Sequence, residues 1–208
     1  MIELMIVIAI IGLLAATLLP ALTSNKVQAY IAADQAQLRT HFSWLQIYQS
    51  KHKQALPMEG GYKFVLSTWT EKTFDHTEEN LDKYFTPGLR DNDPDYRLAR
   101  GQIEKGTDPW PDLNSTRTQD THYVGRAKDK IKSATMGENE AWMANDNEGL
   151  PSFPDGTVNV LFGGGAVRSY SWPDLKERFS LGDFDKNAPP IETWGPNSPI
   201  PECRSLAN

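Results

Sequence analysis

The sequence predicts an α+β fold, in which the second half of a long N-terminal α-helix packs on a small antiparallel β-sheet. Two observations lead to this prediction. An apolar run at Leu4–Leu22 leads directly into a longer helical pattern of apolar residues. Near the other end, Pro154–Trp172 reads as two strands joined by a glycine turn. We therefore expect a stem helix over residues 1–54 and a globular head over residues 55–208.

Composition limits the classes of protein and partner. The chain has 208 residues, a formal net charge of −6 and 39% hydrophobic residues. It contains no cluster of lysine and arginine, so nucleic acid is not expected as its main partner. The single cysteine, Cys203, excludes an intrachain disulfide and a cysteine-rich zinc site.

The apolar run is long enough to cross a bilayer, because as a helix it would span about 28 Å. A cleaved signal peptide fits poorly, since no basic residue precedes Lys26. A plain signal anchor fits better but leaves Glu3 unexplained. A carboxylate entering a bilayer costs several kcal/mol unless it is paired. A filament subunit has a use for such an acid, which can pair with a positive group on a neighbouring subunit.

The string IELMIVIAIIGLLAATLLPAL at Ile2–Leu22 resembles the N-terminus of type IV pilins and type II secretion pseudopilins. Glu3, Gly12 and Pro20 stand in the family register, and the resemblance implies that they serve assembly. It also implies cleavage by a prepilin peptidase after a glycine and N-methylation of the new first residue. By this alignment Met1 is an internal position, and two residues, usually Phe-Thr, come before it in the mature protein.

Beyond the apolar run the helix is predicted to continue to about Lys53. Apolar residues recur at steps of three or four, with one double step, and polar residues occupy the other face. The apolar series is Val27, Ile31, Leu38, Phe42 and Leu45, and the polar face includes Asp34, Gln35 and Gln37. Gly12 and Pro20 weaken the helix by about 1 and 3 kcal/mol respectively. We expect the stretch between them to loosen in the assembled state.

The first part of the head gives weaker signals. The aromatic and β-branched content of Tyr62–Thr70 favours a strand, and Thr77–Phe85 suits a short helix capped by Thr77. The turn-rich segment Pro87–Asp120 is expected to form surface loops or an insertion, and His122–Arg126 a strand. The proline-rich tail over residues 183–208 is expected to be an irregular strap around the head.

The C-terminal hairpin is the clearest prediction in the head. Thr157–Phe162 and Ala166–Ser171 should pair as antiparallel strands around a tight turn of three glycines. Period-two alternation then divides the first strand into two faces. We expect the stem to contact Val158, Val160 and Phe162, leaving Asn159 and Leu161 on the opposite face.

The hairpin also resembles the C-terminal part of a large family of pilin-like proteins with a motif of the H-x9-DG type. The Asn159–Phe162 core, NVLF, is present. The family's histidine is replaced by Pro154, and its aspartate by Gly164. The resemblance therefore supports the fold and not an activity of that pair.

The sequence contains no set of residues typical of an enzyme. The three glycines are not followed by a phosphate-binding lysine, and His41 and His52 read as solvated or packing residues on the stem. Asp183, Asp185 and Asn187 are spaced like the first half of a calcium loop, but Ala188 stands where such a loop needs glycine. A solvated acidic turn is the alternative. The six tryptophans and seven tyrosines could form a sugar-binding platform, but core and interface roles are more typical.

These observations together predict a structural subunit of a type IV pilus-like filament that needs no cofactor. Its implied partners are other copies of itself, the prepilin peptidase and the inner-membrane assembly machinery. Its implied location is the inner membrane during storage and an extracellular or periplasmic filament after assembly. One alternative is a type II secretion pseudopilin of a short periplasmic filament. Another is a membrane-anchored module that binds carbohydrate or a protein partner.

Overall fold

The fold is described from a computed structural model, which covers residues 2–132, 137–146, 151–184 and 193–208. It is α+β, with a long N-terminal helix and a five-stranded antiparallel sheet. The sheet lies between two layers. The stem helix and a second helix cover one face, and a short helix with the C-terminal segment covers the other.

The stem is one continuous helix, α1 (Ile2–Lys51), as the sequence predicts. At about 1.5 Å per residue it is roughly 75 Å long. Its first half is exposed, and its second half buries one stripe in the head at Ile31, Asp34, Leu38, His41 and Leu45. The helix ends where Lys53 and Gln54 take positive φ angles of 54° and 67°.

The sheet has strands β1 (Tyr123–Arg126), β2 (Ala141–Asn145), β3 (Val158–Phe162), β4 (Val167–Tyr170) and β5 (Leu206–Ala207). Their spatial order is β4-β3-β2-β1-β5. The strand predicted at His122–Arg126 is confirmed as β1. The predicted hairpin is confirmed as β3 and β4, with Val158 opposite Tyr170 and Leu161 opposite Val167. Gly165 closes its turn at φ 81°, with its Cα side against the ring of Phe42.

The predicted facing of β3 is wrong. Leu161 belongs to the core between sheet and stem, and Asn159 bonds to the stem backbone. Val158, Val160 and Phe162 point to the opposite face. They are nevertheless buried, because helix α5 (Trp172–Phe179) and the C-terminal segment form a second core there. Apolar residues on both faces of a strand remove the cue that tells which face meets a given helix.

Tyr62–Thr70 is a helix, α2, and not the predicted strand. Its residues from Phe64 to Trp69 are all buried, between the stem and β1. A segment enclosed on nearly all sides favours large aromatic and β-branched residues whether it is a helix or a strand. The composition of Tyr62–Thr70 therefore reflects its burial and does not indicate a strand. Gly61, at φ 66°, leads into the helix and donates its N–H to the Arg126 carbonyl, 2.9 Å away.

The predicted short helix is confirmed as α3 (Glu78–Leu81), whose Asn80 N–H donates to the Thr77 hydroxyl at 3.2 Å. A 3₁₀ turn follows at Asp82–Tyr84. The expectation of loops alone after Pro87 is wrong, because α4 (Pro94–Glu104) lies within that segment.

The sequence at the start of α4 is typical of a helix N-terminus. Asp93 accepts the Tyr96 N–H at 2.7 Å, and Pro94 occupies the first turn. Shorter 3₁₀ turns occur at Arg90–Asn92, Thr118–Asp120 and Lys128–Lys130.

The described part of the C-terminal tail, residues 193–208, is the predicted irregular strap with one addition. Its chain folds into a 3₁₀ turn at Pro201–Ser205 and then adds β5 beside β1. Ile200, Cys203 and Leu206 are buried in the second core. The strap therefore closes the side of the sheet that faces away from the stem.

Candidate membrane and assembly segment

The start of the stem, residues 2–17, exposes its apolar side chains. Every described side chain from Ile2 to Thr17 is exposed, including Ile2 at 74% and Leu13 at 69%. A continuous exposed apolar surface of this size is typical of a membrane or protein contact. Within the described residues, α1 is the one helix long and apolar enough to cross a membrane.

The three predicted assembly residues all lie on this helix. Glu3 is the acidic residue of its first turn and is exposed. Gly12 lies about 14 Å further along and Pro20 about 12 Å beyond that, at 1.5 Å per residue. A Cβ added at Gly12 would meet no other described atom within 4 Å. Nine residues turn a helix through about two and a half turns, so Glu3 and Gly12 project to opposite sides.

The single subunit keeps its helix through Gly12 and Pro20. The predicted loosening concerns stems packed together in an assembly, so it stays a prediction. An isolated helix keeps its remaining i to i+4 bonds because nothing around it offers replacement partners.

The second half of the stem is fixed to the head by packing. Leu38, Trp44 and Leu45 lie in a core with Phe64 and Trp69 of α2. Rings pack closely around them, and Trp44 stacks on Phe74 at 3.8 Å between centroids. The tryptophans at 44, 69, 110 and 142 are all buried, and those at 172 and 194 are buried or partly buried. The interpretation of these residues as core is confirmed.

A polar belt, buried at its centre, joins the stem to the sheet. We use this name for Asp34 and Gln37 on the helix together with Tyr123, Asn145, Asn159 and Ser169 on four adjacent strands. Asp34 Oδ1 lies 2.6 Å from the Tyr123 hydroxyl oxygen, and Asp34 Oδ2 accepts the Asn159 amide at 2.6 Å. The same carboxyl group also accepts the Asn145 amide, at 3.1 and 3.0 Å to its two oxygens.

The sequence interpretation placed Asp34 on the polar face, and that was wrong, since Asp34 is completely buried. Burial raises the pKa of its carboxyl group, against the hydrogen bonds from Asn159, Tyr123 and Asn145, which lower it. A signal was present in the sequence. The apolar series has one double step between Ile31 and Leu38, and Asp34 fills the skipped turn.

His41 lies one turn beyond Leu38 and is also completely buried. Its Nε2–H donates to the Lys83 carbonyl at 2.8 Å, and its Nδ1 has no hydrogen-bond partner among the described residues. Burial lowers the pKa of this imidazole to about 4. His52 lies just after the helix, at the surface, 3.6 Å from a carboxylate oxygen of Glu71. The two histidines therefore have different surroundings, and His41 is the packing residue.

The calcium hypothesis receives no support from the described part of the site. Asp183 is exposed and forms an ion pair with Lys176, which lowers the pKa of the Asp183 carboxyl group. Asp185 and Asn187 lie outside the described residues. Among the residues that are described, no three His, Cys, Asp or Glu side chains are grouped to hold a metal ion.

One surface cavity in the head has a volume of about 690 Å³. Asp93, His122 and Gln119 line part of it, and His122 Nε2 lies 3.0 Å from Asp93 Oδ2. The Thr86 N–H donates to the other ring nitrogen at 3.1 Å, which places the His122 proton on Nε2. The pair joins two loops, and every nitrogen of the ring is already used by the fold.

Comparison with known proteins gave no match: no family model, no curated protein and no solved structure resembles this chain significantly.

Proposed function

We propose that this chain is a structural subunit of a type IV pilus-like filament and assembles through its stem. One observation carries the proposal. The stem is anchored in the head by its second half, whereas residues 2–25 carry one charged side chain, Glu3, and every described side chain at residues 2–17 is exposed. Exposed apolar surface of this extent must be covered by lipid or by other copies of the same helix.

A membrane alone explains the apolar surface but not Glu3. An anchor is more stable without a carboxylate near the end of its apolar run, because the charge loses its hydration on entering lipid. A bundle of stems can compensate that loss if a neighbouring subunit supplies a cation. The resemblance to pilins offers the N-terminal amine of the adjacent subunit as that cation.

The two states of the subunit follow from this arrangement. In the inner membrane the apolar half of the stem is surrounded by lipid and the head lies outside the cytoplasm. In the filament the stems form the interior and the heads form the coat. The prepilin peptidase and an inner-membrane assembly machinery would link the two states, and the filament would be extracellular or periplasmic. No cofactor takes part in this role.

Replacing Glu3 by Gln tests the proposal, because it keeps the side-chain size and removes the charge. We expect normal membrane insertion, a folded head and a filament yield at least tenfold lower at equal subunit levels. Glu177→Gln is the matched control, since Glu177 is an exposed acid on the head. It should leave filament yield unchanged.

Three outcomes of this experiment lead to different conclusions. Long surface filaments that disappear in Glu3→Gln cells support the pilus-like role, and short filaments confined to the periplasm favour the pseudopilin. Wild-type filament numbers from Glu3→Gln cells contradict the proposed role of the carboxylate. A protein that stays a monomer in the membrane at high expression contradicts assembly altogether.

A further inference from the structure

The polar belt crosses the sheet as a row, with one residue from each of four adjacent strands. Tyr123 is paired with Asn145 across β1 and β2, and Asn159 with Ser169 across β3 and β4. The Asn145 side-chain oxygen accepts the Asn159 N–H at 2.8 Å, which joins the two pairs. The row meets the stem at Asp34, about one turn after the helix enters the head at Ile31.

Backbone groups determine how the three belt amides are oriented. Asn159 directs its NH₂ to the Ile31 carbonyl as well as to Asp34, and Asn145 directs its oxygen to a backbone N–H. Gln37 donates its NH₂ to the Asp82 carbonyl at 3.3 Å, so its oxygen is the atom that faces Tyr123. The donors and acceptors around Asp34 can therefore be counted.

If Asp34 is ionised, the group of hydrogen bonds around it has one donor proton too few. The Tyr123 hydroxyl oxygen lies 2.6 Å from Asp34 Oδ1 and 3.0 Å from Gln37 Oε1, and both of these atoms are acceptors. The single Tyr123 hydroxyl proton can bond to only one of these two oxygens. The other oxygen then faces a lone pair of the hydroxyl oxygen. A proton on Asp34 Oδ1 resolves this, because Asp34 then donates to Tyr123 and Tyr123 donates to Gln37.

We propose that Asp34 is buried as a neutral carboxylic acid, and that its proton completes a chain through Tyr123 to Gln37 that fixes the stem at one axial position on the sheet. The neutral form avoids an uncompensated charge in a completely buried place. The raised pKa of Asp34 agrees with this assignment. The inference concerns the joint between stem and head and is independent of filament assembly.

The axial position follows from the stripe on which Asp34 lies. Its neighbours one turn away on that stripe are Ile31 and Leu38, which are both apolar and buried, and Leu38 belongs to the core between stem and head. Sliding the stem by one turn would bring Asp34 against apolar groups and would leave the amides of Asn145 and Asn159 without their acceptor. A buried polar group that is satisfied in only one arrangement specifies that arrangement, at some cost in stability.

Several charged or titratable groups surround the belt and act on both forms of Asp34. His122 lowers the pKa of Asp34, and Arg90 lowers that of Tyr123. The other such groups on the elements packed here are His41 on the stem, Asp82 and Lys83 beside it, Asp93 against His122, Asp146 after β2, and Arg168 and Tyr170 on β4. All of them are kept in the variants below, so differences between variants report Asp34.

The test compares Asp34→Asn with the wild type, as full chains in detergent micelles, by thermal melting between pH 4 and pH 8. Asn has the shape of the neutral acid and can donate to Tyr123 as the acid does. The ordinary pKa of an aspartic acid is 3.8. If the folded protein holds this group at a raised pKa, the fold becomes progressively less stable as the pH rises above 3.8. We expect equal melting temperatures near pH 4 and a variant that melts higher by roughly 5 °C or more at pH 7.

Asp34→Leu is the second variant. It removes both carboxyl oxygens, which leaves the amides of Asn145 and Asn159 without their shared acceptor, and we expect it to melt lower than the wild type by roughly 10 °C at all these pH values. Infrared spectra at pH 7 give an independent measurement, because a protonated carboxylic acid has a carbonyl band that a carboxylate lacks. That band should be present in the wild type and absent from Asp34→Asn.

The opposite results would overturn the proposal. An ionised Asp34 stabilised by its donors predicts that Asp34→Asn melts below the wild type at pH 7. It also predicts no difference between the two infrared spectra in the carboxylic acid region. If Asp34→Asn does not fold, Tyr123→Phe replaces it in the infrared comparison. A change in the carboxylic acid band then supports the chain through Tyr123, and an unchanged spectrum contradicts it.

Discussion

Two buried titratable residues on the stem, Asp34 and His41, lie within two turns of each other. They change the stability of the fold with pH in opposite directions. Burial disfavours the charged form of both groups, which raises the pKa of the acid and lowers that of the base. Asp34 is surrounded by donors, whereas His41 has the Lys83 carbonyl on one nitrogen and only rings near the other. A proton added to His41 would therefore enter the core without an acceptor.

On mild acidification, His41 therefore contributes a loss of stability, opposite in sign to the contribution of Asp34. The pKa of His41 is about 4 in the folded protein against 6.5 ordinarily. The unfolded chain binds the extra proton first, so stability is complete above pH 6.5 and is lost as pH falls to about 4, by about 3 kcal/mol. Urea unfolding of the full chain in micelles at pH 7 and pH 4.5 measures the effect.

Compared with the wild type, His41→Leu should be more stable at pH 4.5 than at pH 7 by up to about 3 kcal/mol, whatever its stability at pH 7, because only the His41 contribution is removed. His52→Leu removes a histidine at the surface and is the matched control, which should keep the wild-type dependence. Equal pH dependence in His41→Leu and the wild type would contradict the assignment of the acid sensitivity to His41.

At the scale of elements, the sequence predicted what local chemistry determines and failed where tertiary contacts decide. The stem, the Thr77-capped helix and the hairpin β3–β4 were predicted because apolar periodicity, a cap and a glycine turn are local signals. Tyr62–Thr70 was assigned to a strand because its composition reflects enclosure by the stem and β1. The facing of β3 was wrong because its two faces are both buried.

The same contrast applies to the candidate sites. Glu3, Gly12 and Pro20 could be identified from sequence, because a carboxylate and two helix breakers stand out in an apolar run. Asp34 was not recognised as buried, although it fills the skipped step of the apolar series, because an acid on an amphipathic helix normally faces water. Its three hydrogen-bond partners on the strands, Tyr123, Asn145 and Asn159, are distant in the chain, and only the pairing of the strands brings them together.

Because the second core is packed against β3, we expect polar substitutions on the face of β3 away from the stem to destabilise the protein. Val160 is completely buried there, so Val160→Asp places an unpaired charge among apolar side chains. We expect a loss of about 4 kcal/mol or more in the free energy of unfolding, measured by urea titration of tryptophan fluorescence.

Val167→Asp on the neighbouring strand is the matched control, because Val167 is only partly buried. Its loss should be less than half of that for Val160→Asp. Similar losses at the two positions would mean that the face of β3 away from the stem is not a packed core.

For the whole molecule, the structure contrasts a head with two cores and a stem whose described side chains at residues 2–17 are exposed. The second half of the stem is held in the head by its apolar contacts and by the polar belt. In the filament that we propose, packing of the stems would cover the exposed apolar surface and give Glu3 a partner. The breakers at Gly12 and Pro20 would then let the stems bend locally as they pack together.

Electron cryo-microscopy of filaments purified from cells that express this chain tests the central claim most directly. We predict apolar stem halves bundled in the filament interior, Glu3 within about 4 Å of a positive group on a neighbouring subunit, and a loss of regular helix between Gly12 and Pro20. A filament held together by its heads, with the stems outside the interior, would contradict the account.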